Sequence, residues 1–232
     1  MVDTTVSPDE VARFNALAAS WWDKSGPMRP LHAMNPARIG WILGHAAKRF
    51  PAANGVRLLD VGCGGGLASE AMAAHGFDVT GIDAAADVIA AARAHGGPHG
   101  PSYRVGAAED LLAEGLRFPI VVALEVVEHV PDPAAFVRVL TGLLKPGGLL
   151  FLSTLNRTRR SFLVAKLGAE YVLRVLPVGT HDWRRFPTPV ELSGFVRAAG
   201  ARVVDTAGLS PCPGGWRTTR DLGVNYLLAA EV

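Results

Sequence analysis

The chain has 232 residues, enough for one domain with a full hydrophobic core, and a formal net charge of +2. That near-balance gives no basic field of the kind that attracts nucleic acid. Apolar residues make up 49% of it, yet no uncharged apolar run reaches the roughly 18 residues of a membrane-spanning helix. Cys63 and Cys212 form neither a disulfide framework nor a zinc spacing, and the polar start from Met1 to Glu10 lacks a signal-peptide core, so the expectation is a reduced, cytoplasmic protein.

In chain order, Ser7-Pro8-Asp9-Glu10 opens a helix, with Ser7 as N-cap and Pro8 at the first helical position. Val11, Phe14, Leu17 and Ala18 continue it at helical spacing. Trp21-Trp22-Asp23 leads into a turn-rich stretch from Ser25 to His32. The paired tryptophans either anchor this arm on the core or wall a pocket. Asn35-Pro36-Ala37-Arg38 opens a second helix to about Phe50. Arg38, near its start, is either solvated or paired with a cofactor carboxylate. Residues 1–50 therefore read as a helical arm packed on a core of residues 51–232.

That core begins with Leu58-Leu59-Asp60-Val61, an apolar run entering Gly62-Cys63-Gly64-Gly65-Gly66, with a helical pattern from Leu67 to Ala74 beyond. Strand, tight glycine loop and helix N-terminus let backbone N–H groups approach a ligand. Phe77 to Asp83 is a second strand with a carboxylate at its tip, placed for ribose hydroxyls. Glycines at 62, 64 and 66, with Leu at 67, miss the dinucleotide spacing, which wants a small residue at 67. The arrangement instead resembles motif I of class I S-adenosylmethionine-dependent methyltransferases, with Asp60 as the preceding acid.

A helix from Ala86 to Ala94, a short strand from Ser102 to Gly106, and the buried run Phe118 to Leu124 follow. A helix from Ala134 to Leu144 and a strand from Leu149 to Thr154 come next. Near the end lie a helix from Thr188 to Ala199 and strands from Ala201 to Ala207 and Asn225 to Val232, separated by an irregular loop at Ser210 to Trp216. Alternating strands and helices predict an α/β fold, a Rossmann-like sheet of seven strands, mostly parallel, with an antiparallel C-terminal edge. Ligands of such sheets bind at the carboxyl ends of the strands, where Gly62, Asp83, Glu125 and Asn156 all fall.

Glu125-x-x-Glu128-His129 follows the fourth strand. On a helical turn these three share a face, and their oxygen and nitrogen atoms suit Mg²⁺, Mn²⁺ or Zn²⁺. Alternatively Glu128 or His129 is a general base. A plain helix N-terminus favouring acids also accounts for Glu125 or Glu128 taken singly.

A wider set of segments is shared with one family: Phe14 with Trp21-Trp22-Asp23, Pro30-Leu31-His32, Asn35-Pro36-x-Arg38, the glycine loop, Glu125 to Pro133, and Lys145 to Gly148. It continues through Ser153 to Arg157, Gly168 to Tyr171, Gly179 to Asp182 and Val224 to Tyr226. From about Phe14 onward the chain resembles the O-methyltransferases of ubiquinone biosynthesis. The resemblance implies methylation of polyprenylated catechols and demethylubiquinol. It implies that Arg38, Gly62, Asp83 and Leu124 contact S-adenosylmethionine, beside Gly64 and Gly66 of the loop. It also implies that Glu125, Glu128 and His129 hold a divalent metal, and that other ubiquinone-biosynthesis proteins are partners. Pro119, Gly223 and Pro211-Cys212-Pro213 depart from the family's pattern and bear on the substrate side.

Between Phe162 and Leu176 the only charges are Lys166, Glu170 and Arg174, with arginines on both flanks. Within a lid of about 157–187, this reads either as a helix on an anionic membrane surface or as one buried against protein. The first reading makes the protein peripheral to the inner face of the membrane. The rival functions are a nicotinamide oxidoreductase, which Leu67 disfavours, a non-catalytic organiser of quinone synthesis, and a methyltransferase of another phenol.

Overall fold

A computed structural model describes residues 5–163 and 183–232. Its centre is β1 (Arg57–Val61), flanked by β2 (Asp78–Asp83) and β4 (Phe118–Leu124), with β3 (Ser102–Val105) beyond β2 and β5 (Leu144–Leu155) beyond β4. These five strands are parallel. Leu58 to Val61 and Ile120 to Leu124 are buried without interruption, as parallel strands covered on both faces must be.

Period-2 alternation sends neighbouring side chains to two cores. Leu59, Val61 and Val121 pack with Leu111 of α5 (Ala108–Ala113), Phe136 and Leu140 of α6 (Pro133–Gly142), and Leu192 and Val196 of α8 (Pro189–Ala198), which follows the one-turn α7 (Arg159–Phe162) in the chain. Leu58, Ile120 and Val122 pack with Ile39, Ile42 and Ala46 of α2 (Arg29–Arg49) and Met72 of α3 (Leu67–Ala73). A smaller cluster seats the N-terminal arm. Trp21 and Met28 meet Ala85 and Val88 of α4 (Ala86–Gly96), against Val11 and Phe14 of α1 (Pro8–Asn15).

The α/β class holds, but among the described residues the sheet has eight strands rather than seven. The expected loop at Ser210 to Trp216 is a hairpin: β6 (Arg202–Cys212) turns at Pro213-Gly214 and returns as β7 (Gly215–Thr219). Two prolines conceal this from the sequence, yet at a hairpin tip on a sheet edge they cost little pairing. Gly214 at φ 86° supplies the left-handed residue the turn needs. β8 (Asn225–Glu231) then lies between β5 and β6, antiparallel to both.

Two prolines lie inside regular elements, and the first changes an expected boundary. The second helix begins at Arg29, not Asn35, and continues through Pro36, because Met34, Asn35, Arg38 and Ile39 are all buried along it. Pro36 removes one amide from the helical ladder without ending it. Pro119 sits inside β4, where the register to β5 shifts between Phe118 and Ile120, so the missing N–H falls at an irregularity. Most of the expected apolar lid, with its Gly168 to Tyr171 and Gly179 to Asp182 segments, lies outside the described residues.

Candidate active site

The β1–α3 loop is built from backbone. Gly62, Gly64 and Gly66 have φ of 67°, 53° and 89°, the left-handed region that glycine enters without strain. Gly62 N–H and Cys63 N–H donate to the Ile82 carbonyl at 2.8 and 3.2 Å, which ties the loop to the end of β2. Bareness matters as much as φ. A Cβ on Gly64 would lie 2.2 Å from Cζ2 of Trp21, and one on Gly65 2.3 Å from its Cδ1, so the arm's indole lies directly on the loop. Trp22 Nε1 donates to the Gly65 carbonyl at 3.0 Å and its ring stacks on His95 at 3.4 Å. Of the two alternatives for these tryptophans, anchoring against the glycine loop is the arrangement observed.

Asp83 ends β2 with one carboxylate oxygen accepting from Gly64 N–H and the other from Ala85 N–H, each at 2.9 Å. Burial nonetheless pushes its pKa up. Asp60, fully buried, accepts from Ser69 Oγ at 2.5 Å. Burial raises its pKa to about 7, against the lowering effects of Ser69 and Arg38. Arg38 is buried rather than solvated, with Nη1 3.7 Å from Glu125 Oε1 and its Nε unpartnered. Desolvation lowers its pKa while Glu125 and Asp60 raise it. A buried guanidinium with an orphaned N–H, beside a loop of bare glycines and a strand-end carboxylate, fits a cofactor with a carboxylate and a ribose. Leu124, the last residue of β4, packs on the Ile39 and Ile42 face.

Glu125 to His129 is not the helical turn that the spacing suggested. Glu125 has φ 57°, a rare conformation for a residue with a Cβ, and the chain then makes a turn closed by His129 N–H on the Val126 carbonyl at 2.9 Å. The three side chains consequently face different partners. Glu125 Oε1 accepts from Ser153 Oγ at 2.6 Å, and Glu128 Oε2 accepts from Thr154 Oγ1 at 2.9 Å. His129 Nδ1 lies 3.0 Å from Glu10 Oε2, with the Phe14 ring edge-on at 5.2 Å.

Among the described residues, no three of His, Cys, Asp and Glu are gathered to ligate a metal. The expected convergence of Glu125, Glu128 and His129 on one point is therefore not the arrangement found; the left-handed residue at 125 breaks the helical face it assumed. These groups nonetheless feel one another's charge. Burial and then the Glu125 charge push Glu128 up to about 7. For His129, burial opposes protonation, but the Glu10 hydrogen bond and the charges of Glu128, Glu10 and Glu125 outweigh it and raise the pKa.

Sequence reasoning missed Glu10, 119 residues from His129. One sequence carries no signal for that pairing, since Glu10 reads as an ordinary first-turn acid. The Ser153 and Thr154 partners read from the sequence as the end of the fifth strand and as part of the family resemblance, with no signal that they hold the two glutamates.

A methyltransferase-domain model matches residues 32–206. A protein of Methylobacterium nodulans named ubiquinone biosynthesis O-methyltransferase is 49% identical, over 100% of this chain and 98% of its own length. Its namesake in Azorhizobium caulinodans is 46% identical over 99% and 95%. Among solved structures, magnesium protoporphyrin IX methyltransferase from Synechocystis with SAH bound superposes with a TM-score of 0.69 over 96% of this chain and 98% of its own. At 18% identity that likeness is one of fold.

Proposed function

The chain belongs to the ubiquinone biosynthesis O-methyltransferases, S-adenosylmethionine-dependent enzymes, and from that premise we propose how its own residues serve the reaction. The acceptor is a phenolic hydroxyl of a polyprenylated catechol, and at the last step demethylubiquinol. One observation carries the assignment of roles. The glycine loop with Asp83, and an imidazole under the charge of three carboxylates, stand on the same carboxyl edge of the sheet, with Arg38 beside Glu125.

Gly62, Gly64, Gly66, Asp83, Leu124 and Arg38 bind the donor, Asp83 through the ribose and Arg38 through the methionine carboxylate. A free phenol has a pKa of about 10, so its oxygen is a poor nucleophile at neutral pH. His129 takes the phenolic proton as the oxygen attacks the methyl carbon. The new C–O bond forms as the C–S bond breaks, the sulfonium becomes a neutral thioether, and the proton stays on His129 until solvent removes it. Much of the acceleration comes from holding oxygen, methyl and sulfur in line.

A second reading is favoured by Glu128, a buried carboxylate whose neighbour Glu125 penalises its charge. Glu125, Glu128 and His129 would be the residues to hold a divalent cation, Mg²⁺ first with Mn²⁺ or Zn²⁺ as alternatives. When bound there, the ion would supply Lewis acidity to the phenol oxygen. Incubation with labelled S-adenosylmethionine and a short-chain prenyl catechol, with and without chelator, tests both. Label reaches the catechol in the untreated protein, and its absence there would refute the substrate class. Transfer that survives chelation leaves deprotonation to His129; transfer that stops assigns it to the ion.

The proposal extends to peripheral attachment at an anionic membrane surface. Among the described residues no helix is long and apolar enough to cross a membrane. Phe162 and Leu163 are exposed beside the exposed Arg159 and Arg160, which supports contact with a lipid surface at this point. Liposomes containing anionic lipid should retain the protein and release Leu163→Glu.

A further inference from the structure

The N-terminal arm reaches along the whole ligand edge. Thr5 N–H donates to Glu109 Oε1 at 2.6 Å beyond β3, and Asn15 Oδ1 accepts from Asp87 N–H at 3.0 Å on α4. Trp21 covers Gly64 and Gly65, and Trp22 binds the Gly65 carbonyl. Between these points α1 puts Glu10 against His129 at 3.0 Å, with Phe14 from the next turn along the imidazole edge. Arg13 holds the same carboxylate, Nη1 lying 3.1 Å from Oε1.

A neutral imidazole has one N–H and one lone pair, and a carboxylate only accepts, so the ring proton belongs on Nδ1. We propose that Glu10 is a positioning residue for methyl transfer: its carboxylate accepts the Nδ1–H of His129 and makes Nε2 the basic nitrogen presented to the phenol. The inference rests on His129 acting at the phenol oxygen, as base or as a ligand to an ion there. Either role needs the Nε2 lone pair, and a carboxylate on the other nitrogen is the usual device that fixes it. The arm contributes more than a contact. The same arm that lays Trp21 and Trp22 on the glycine loop also carries Glu10 to the imidazole.

The His129 hydrogen bond and the surrounding charge of His129, Arg13 and Arg185 hold the Glu10 carboxyl below its usual range, although burial opposes this. The groups facing it come from α1 itself, from the β4–α6 turn and from the segment before α8.

Glu10→Ala and Glu10→Gln test the assignment on the full chain. Glu10→Ala should lower kcat by about 10- to 100-fold, the usual cost of removing such a partner. Glu10→Gln should lose less, because its carboxamide oxygen can accept the same N–H. Affinity for S-adenosylhomocysteine, measured by calorimetry, should stay unchanged in both. Nitrogen-15 NMR of the His129 ring at alkaline pH, identified by its loss in His129→Ala, should show the Nδ1–H tautomer in the wild type and Nε2–H gaining in Glu10→Ala. Unchanged kcat in Glu10→Ala overturns the proposal. So does a fall in kcat matched by cofactor affinity, which would leave Glu10 as a pin for the arm, and so does a tautomer that ignores Glu10. If the wild type itself methylates no catechol, the functional reading fails, while the NMR measurement still decides the role of Glu10.

Discussion

The two halves of the active edge are made in opposite ways. The cofactor loop is backbone and local sequence: three left-handed glycines, two amides on Ile82, and Asp83 closing on Gly64 from 19 residues away. The catalytic turn is side chain and long range. Its groups are held by Thr154 at 26 residues, Ser153 at 28 and Glu10 at 119. A backbone cradle is complete once one strand–loop–helix–strand unit, β1 to β2, has formed. The turn is complete only when β5 and the arm have docked, so it depends on the assembly of the entire edge.

Substitutions that strike one half and spare the other should separate them. The largest effect belongs to His129→Ala, which should lower kcat by roughly 10²- to 10⁴-fold, the range of a lost general acid–base group. Its affinity for S-adenosylhomocysteine should match the wild type; a comparable loss of affinity would show that the halves are not separable. Asp83→Ala is the converse. It removes a buried carboxylate from the loop and should weaken cofactor affinity by about 10- to 100-fold, the scale of one or two charge-assisted hydrogen bonds. Its turnover at saturating cofactor should change far less.

The same division governs what could be read from the sequence. The loop, its strand and Asp83 are legible because glycine spacing and an apolar run are local signals with one physical meaning. The buried runs of β1 and β4 likewise leave little choice but central strands. Glu125 shows where this ends. Its spacing to Glu128 and His129 suggests a helical face, and a non-glycine residue at φ 57° announces itself nowhere in the sequence. Pro211 and Pro213 hide a hairpin because at its exposed tip they cost little pairing, and Pro36 hides the true extent of α2 because tertiary burial overrides a local breaker. Glu10 is illegible for a simpler reason: pairing over 119 residues is a property of the fold.

The contact of Trp21 with the loop joins the halves and can be attacked directly. Gly64→Ala meets a left-handed φ of 53° and an indole carbon at 2.2 Å. The left-handed backbone costs about 1–2 kcal/mol in itself, and relief of the clash displaces the arm. Denaturant unfolding should report that loss, and kcat should fall too, since the displaced arm carries Glu10 away from His129. Gly66→Ala is the comparison within the same cofactor loop. Its Cβ meets the Tyr103 hydroxyl at 2.2 Å, away from Trp21, so it should lower stability and cofactor affinity, with less effect on kcat at saturating S-adenosylmethionine. Equal losses of kcat in the two variants would sever the proposed link between loop and turn.

The effect with the least bearing on turnover is a change of slope in stability. Asp60 titrates at about 7 in the folded protein, because burial disfavours its charge, and near 3.9 when unfolded. Between those values the folded state binds the extra proton, so stability of the cofactor-free protein falls as pH rises from about 4 to about 7 and levels off above. One such group contributes at most about 1.4 kcal/mol per pH unit. Glu128, raised to about 7 by burial and by Glu125, adds the same sign over the same window. Asp60→Asn should therefore shallow the decline without abolishing it, and Asp60→Asn with Glu128→Gln should shallow it further. Denaturant midpoints measured across this window decide the matter: a slope unchanged in Asp60→Asn would mean that Arg38 and Ser69 keep the carboxylate charged in the folded state. The loop would then meet its cofactor already carrying a buried negative charge instead of acquiring one as the pH rises.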